Sequence, residues 1–253
     1  TGERHMPSPV ETRSFPHWES AMASRARAKA ETASEAAKAP PTAQQGKTRE
    51  RILGVSLTMF NAQGEPNVTT NHIADELEIS PGNLYYHFRN KDDIVEHLFA
   101  RFEDRMDAAL VLPEGRLPNL DDIWFQMHSV FECIWDFRFI YRDLVDLLSR
   151  NRKLKMHFSR ILKRAHESIV GVCKGLVEAG VMEASSQEIE ALGQNISIAT
   201  TFWLNFQQIK PATGAKQEAD LGRGAYLVMM LLAPYLRAAE REYLNKLALK
   251  YLG

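Results

Sequence analysis

The stretch SPGNLYYHFRNK, residues 80–91, gathers side-chain amides, two phenols, an imidazole and two cations, with no acid among them. Asn83 has an amide able to pair with the edge of a nucleobase. Tyr85 and His87 offer donors to phosphate oxygens, and Gly82 lets a backbone come close. Lys91, beside the N-terminus of the next helix, would complete a phosphate clamp. None of this is catalytic chemistry. The eight histidines are scattered, and His157 and His166 lie nine apart, which does not stack on one helical face. There is no phosphate-binding glycine loop and no nucleophile elbow, so no catalytic residue, metal or cofactor is expected.

Positioning these groups takes short helices with firm ends. Residues 47–64 carry apolar side chains at helical spacing (Ile52, Leu53, Leu57, Met59, Phe60), with Gly64 as the stop. Thr69 or Thr70 is a natural N-cap for NHIADELE, whose inner face is Ile73, Ala74 and Leu77. Ser80-Pro81 repeats the signal, with proline where its missing N–H costs nothing. In the helix that follows, Leu84 and Phe88 are four apart and face the core, leaving Asn83, Tyr85, Tyr86 and His87 on other faces. Two short helices under a third make a helix-turn-helix, whose second helix enters the DNA major groove. A long helix opens at Lys91, with Asp92 and Asp93 favourably placed in its first turn.

Beyond residue 119 the pattern predicts helices over 120–137, 139–150, 153–179, 186–209 and 218–236, with a tail to 252. Gly180 and Gly214 stand as stops. No segment alternates like a strand, so the class is all-α. With 253 residues, 45% hydrophobic and 25% charged, the composition is that of an ordinary globular chain. A net charge of −1 means that any case for nucleic acid is local. Cys133 and Cys173 fall in apolar helical patterns and suit a reducing compartment as buried thiols. No secretory signal opens the chain. AYLVMMLLAPYL (225–236) is shorter than the ~20 residues of a membrane span, so a cytoplasmic protein with no membrane association is expected. The opening TGERHM reads as a vector remnant, and residues 7–45 as a disordered arm. Arg25, Arg27 and Lys29 in that arm suit either DNA phosphates or a solvated tail.

The residues TTNHIADEL (69–77), ISPGNLYYHFRNKDDIVEHLF (79–99) and RERILGVSLTMFNAQG (49–64) resemble the TetR-type one-component regulators. The Leu-Tyr-x-His-Phe core, the following Lys and the upstream Thr-x-x-x-Ile-Ala all stand at that family's spacing. The wording of GEPNVTT and LEISPGNLYYHFRNK is most similar to the branch beside polyhydroxyalkanoate-metabolism genes. The resemblance implies an N-terminal three-helix DNA-binding domain at residues 47–93, after an arm at 1–46. It also implies a C-terminal helical domain for effector binding and dimerisation at 94–253. Carried over by position, phosphate contacts fall on Thr69 or Thr70, Asn71, Tyr85, His87 and Lys91, and base-facing positions on Asn71, Gly82, Asn83 and Tyr86. Ser80 completes the DNA set. Glu78 departs from the family, which usually has glycine in that turn.

One short helix reads few base pairs, so a homodimer on a palindrome is expected. The candidate surface is the last two long helices, with Ala199, Trp203 and Phe206 on one and Tyr226, Met229 and Met230 on the other. Trp124, Met127, His128, Phe131 and Trp135 recur at i, i+3, i+4, i+7 and i+11. This stripe serves either as core or, with Phe139, Phe158, Leu162 and Phe202, as the wall of an apolar cavity. His128 would then supply a polar contact. Few charges on the stripe point to a hydrophobic small-molecule effector, and the resemblance adds lipid-like or acyl molecules. The expected function is a repressor released by that effector. The alternative is an all-helical partner-binding or scaffold protein without sequence-specific DNA binding.

Overall fold

The computed structural model describes residues 41–209 and 218–251. The basic arm up to residue 40 and the stop at Gly214 lie outside the described residues. Residues from Glu50 onward belong to one compact unit, and the boundary expected near residue 93 falls in the first turn of its helix Lys91–Ala109.

Helix α1 (Pro41–Gln63) buries Ile52, Leu53 and Phe60 and ends at Gly64. Gly64 has φ 86, and its N–H closes on the Phe60 carbonyl at 2.9 Å. A 3₁₀ turn, Glu65–Asn67, leads to α2 (Thr70–Glu76) and α3 (Pro81–His87). Thr69 caps α2: its hydroxyl accepts from the His72 N–H at 3.2 Å, and the His72 ring accepts from the Thr69 N–H. Ser80 caps α3 by accepting the Asn83 N–H at 3.2 Å. Leu84 and Phe88 are fully buried, as their spacing predicts.

Asn90 caps α4 (Lys91–Ala109). Then come α5 (Leu120–Asp136), α6 (Arg138–Arg142), α7 (Leu144–Arg150) and α8 (Arg152–Glu178). After these run α9 (Ser186–Ile209), α10 (Glu218–Leu232) and α11 (Ala238–Leu249). The helix expected over 139–150 is divided at Asp143, whose backbone leaves helical geometry at φ -103 and whose carboxylate accepts the Glu65 N–H at 2.9 Å. The expected tail of α10 is likewise a separate helix, α11, which starts after a 3₁₀ turn at Pro234 and an antiparallel bridge between Met182 and Leu236.

Helices α4, α5, α8, α9 and α10 pack side by side around one core that continues into the α1–α3 head. Gly180, at φ 71, ends α8 with Val181 N–H bonded to the Leu176 carbonyl at 2.9 Å. Burial pushes the Cys133 thiol up to about 12 and Cys173 up to about 11, so both stay protonated core groups. No helix among the described residues is long and apolar enough to cross a membrane.

Candidate nucleic-acid interface and interior cavity

The α2–α3 pair is a small rigid head. Its inner side is Ile73, Ala74, Leu77 and Leu84, and its outer side carries nearly all the residues expected at DNA. Thr69, Asn71, Ser80, Gly82 and Asn83 are exposed. Tyr85 and Tyr86 are 49% and 70% exposed, values that rule out a core role for these phenols. The Tyr85 hydroxyl lies 2.9 Å from the half-buried Thr70 hydroxyl, which fixes both across the two helices. His87 is half-buried and meets the Tyr86 ring edge-on. These side chains are held at their bases and open at their tips, as groups that reach into a groove must be.

Glu78 has φ 54, so the turn keeps a left-handed backbone with a side chain in place of the usual glycine. That conformation costs a non-glycine residue about 1 kcal/mol. Glu78→Gly is therefore expected to raise urea stability by about 0.5–1 kcal/mol, the gain being reduced by glycine's looser unfolded state. It should also tighten nonspecific DNA binding, since an exposed carboxylate is removed from the head.

Lys91, expected at phosphate, is half-buried and paired inside the subunit. Its ammonium sits 3.0 Å from Glu65 Oε1 and donates to the Glu65 carbonyl at 2.9 Å. The Glu65 side chain is completely buried, and its second oxygen is bonded to Arg150 of α7. A buried carboxylate needs paired cations, and Lys91 supplies one of them while its side chain stays 23% exposed. One turn earlier, Asn61 is also buried. Its side chain donates to the Asp136 carbonyl at 2.8 Å and accepts the Phe139 N–H at 3.1 Å, while its carbonyl accepts from Arg142 at 2.8 Å. Asn61 and Glu65 thus fasten the end of α1 to the α5–α6–α7 corner. Burial raises the Asp143 carboxyl above its ordinary range, against the lowering effect of the Glu65 N–H. Sequence spacing held no sign of this joint beyond two polar residues at the end of an apolar helix face.

A cavity of ≈ 40 Å³ lies between α4, α5, α8 and α9. Of the nine residues expected at a pocket, Met127 and Leu162 line it. The others are placed elsewhere. Trp124 and His128 stack on each other at 5.6 Å with Tyr251 beside them, and His128 faces Glu132 at 3.3 Å. Phe131 is core, Phe139 packs on Phe60, and Phe158 packs on Phe99 and Tyr141. Trp135 carries the Arg138 guanidinium 4.3 Å above its ring. Phe202 points outward, 47% exposed. The stripe thus has two faces: Met127 and Phe131 are buried, and of these Met127 reaches the cavity beside Val130. The polar lining groups are Gln126, Tyr141, Ser197, Thr200 and Thr201, none of which was expected at a pocket.

The expected dimer residues also divide. Trp203 and Met229 are buried inside the subunit at 7% and 0% exposure, which removes them from its surface. Ala199, Tyr226 and Met230 are half-buried, and Phe206 is 53% exposed. The outward stripe of α9 is Ile198, Phe202, Phe206 and Ile209, with Leu227 of α10 also exposed.

Comparison with known proteins agrees with this architecture. A family profile described as "Bacterial regulatory proteins, tetR family" matches residues 52–98, and one described as "Bacterial transcriptional repressor" matches residues 101–244. A TetR-family transcriptional regulator from Marinobacter aquaeolei VT8 is 38% identical, with a TM-score of 0.74 over 81% of this chain and 99% of that one. The transcriptional repressor KstR2 of Mycolicibacterium smegmatis is 35% identical over 80 residues, 28% of this chain and 39% of that protein. The match therefore spans well under half of that curated relative. The ketosteroid regulator KstR2 of Mycobacterium tuberculosis shares the fold at 20% identity, with a TM-score of 0.55 over 75% of this chain and 95% of that one. These relatives are regulators rather than enzymes, and the helix-turn-helix at α2–α3 coincides with the first matched region. The chain belongs to the TetR family of DNA-binding transcriptional regulators.

Proposed function

We propose that this chain is a repressor that binds a palindromic operator as a homodimer and lets go when a hydrophobic small molecule enters its helical body. Residues 47–93 read DNA and residues 94–253 dimerise and sense. The observation that carries the reading is the exposure of Asn83, Tyr85 and Tyr86 on a seven-residue helix anchored by Leu84 and Phe88. A short α3 laid in the major groove presents Gly82 and Asn83 to base edges and Tyr85 with Thr70 to phosphates.

Dimerisation is supported by the α9 stripe. Ile198, Phe202, Phe206 and Ile209 follow i, i+4, i+8 and i+11 on a single outward face, a contiguous apolar surface of the kind that a twofold mate covers. Release is supported by α4, which starts at the head with Lys91 and carries Met106 and Leu110 to the cavity wall. A cavity of ≈ 40 Å³ holds a water or two, against about 300–1,000 Å³ for ligand pockets. A ligand must therefore displace helices to enter. Its differential affinity for the expanded form shifts the dimer away from the half-site spacing that fits DNA.

Asn83→Ala is expected to relax base preference at one position of each half-site by about 1–3 kcal/mol, leaving affinity for nonspecific DNA unchanged. Binding titrations against a library of single-position operator variants measure this. A uniform loss across all variants would place Asn83 on the backbone instead.

A further inference from the structure

The cavity between α4, α5, α8 and α9 has a consistent lining. Met106, Leu110, Val130 and Ile161 supply apolar walls, and no charged residue takes part. A second void of ≈ 20 Å³ lies alongside and shares Gln126, Met127, Ile169 and Ile196 with the first. Met127, unbranched and soft, lines both voids and is the side chain best able to move between them.

Five polar residues line this space: Gln126, Tyr141, Ser197, Thr200 and Thr201. Ser197 donates its hydroxyl to the Gly193 carbonyl at 2.8 Å. Gln126 is 7% exposed and donates its amide to Ser168 Oγ at 3.0 Å, while Ser168 donates to the Leu110 carbonyl at 2.9 Å. That chain uses one of the two Gln126 N–H donors and keeps the amide plane fixed. Thr201 is 7% exposed on α9. Tyr141 is 4% exposed, and its hydroxyl has no hydrogen-bond partner among the described residues. Burial raises its pKa, so the phenol keeps its proton and remains a donor. A donor on the cavity wall that no protein acceptor engages is available to a ligand oxygen.

We propose that the cavity takes an uncharged, largely apolar ligand bearing a carbonyl or hydroxyl oxygen, and that the Tyr141 hydroxyl is the group that selects for that oxygen. The proposal rests on the reading that this cavity is the effector site. A carboxylate or ammonium would enter a space with no counter-charge and lose its hydration uncompensated. A plain alkane would leave the Tyr141 donor as unsatisfied as before. Tyr141 also sits on α6, between Phe139 and Arg142, whose backbone N–H and guanidinium hold Asn61 of α1. The oxygen contact is thus one residue away from the joint to the DNA-reading head.

The test compares five probes, each with a ten-carbon chain, on the full-length protein: 2-decanone, 1-decanol, decane, decanoate and decyltrimethylammonium. Affinity is read by thermal shift and by native mass spectrometry, with Tyr141→Phe, an isosteric change, as the site report. The ketone and alcohol are expected to bind about tenfold more tightly than decane, and the two ions more weakly than decane. Tyr141→Phe should bring the ketone down to the level of decane and leave decane unchanged. Decanoate binding as tightly as the ketone, or a ketone preference that survives Tyr141→Phe, overturns the proposal while leaving a ligand site in place. Failure of all five probes to bind overturns the effector-site reading, and the proposal falls with it.

Discussion

Glu65→Gln is expected to cost about 2–3 kcal/mol of stability and to weaken operator binding by more than unfolding explains. The carboxylate is fully buried between Lys91 and Arg150, and glutamine keeps its shape while removing its charge. An amide in that position sets an N–H₂ against one of two cations and leaves both uncompensated. The Lys91 and Arg150 side chains keep 23% and 37% exposure, so solvent offsets part of the loss, which places the cost below that of a fully enclosed pair. The joint also sets the angle at which the 3₁₀ turn delivers α2 and α3. Loosening it should lower affinity for operator and nonspecific DNA alike, because the head loses its fixed pitch without losing a base contact. Urea titration measures the first effect, and operator titration at a temperature where the variant is fully folded measures the second. A double-mutant cycle with Lys91→Met should return a coupling of about 1 kcal/mol or more.

A double substitution, Ile198→Glu with Phe202→Glu, is expected to make the protein monomeric and to reduce operator affinity at least ~100-fold, equivalent to about 2.7 kcal/mol. Both side chains are half-exposed on α9 and lie one turn apart, so the change does not disturb the subunit's own core. Two carboxylates facing their twofold copies repel one another and must shed water if the surfaces close. Sedimentation should find one subunit with unchanged helicity. Operator titration should then show binding like that of a single head, with half-site affinity retained and the cooperative gain lost. Trp203→Glu makes the control: it is one residue away but buried, so it should unfold the subunit instead of separating two folded ones.

The DNA-reading head was legible in the sequence because its determinants are local. Thr69, Ser80-Pro81 and Gly64 punctuate helices within a few residues, and the four-residue spacing of Leu84 and Phe88 fixes which face is left over. The strained Glu78 was named through the family resemblance, which places a glycine in that turn. The helical body was legible only as helices. Neighbouring positions on α9 differ by about a third of a turn, and spacing alone could not decide that Trp203 turns inward while Phe202 turns outward. On α5 the apolar stripe is wide enough to serve two faces. Trp124 and His128 went to a stack with Tyr251, more than a hundred residues later in the chain, and Met127 went to the cavity. The Asn61–Glu65 joint was invisible for a related reason. Its partners, Asp136, Phe139, Arg142 and Arg150, stand 75 to 85 positions away, and no local pattern encodes a bond of that range.

The central claim is that α3 presents a sequence-reading surface twice, at a spacing fixed by α9. The most direct measurement is titration of the full-length protein against DNA from upstream of its own gene, with footprinting and a salt series. The expected result is a protected inverted repeat with half-sites about 10 base pairs apart, nanomolar affinity and a steep salt slope. Protection without a repeat, or affinity equal to that for unrelated DNA of the same length, would contradict it.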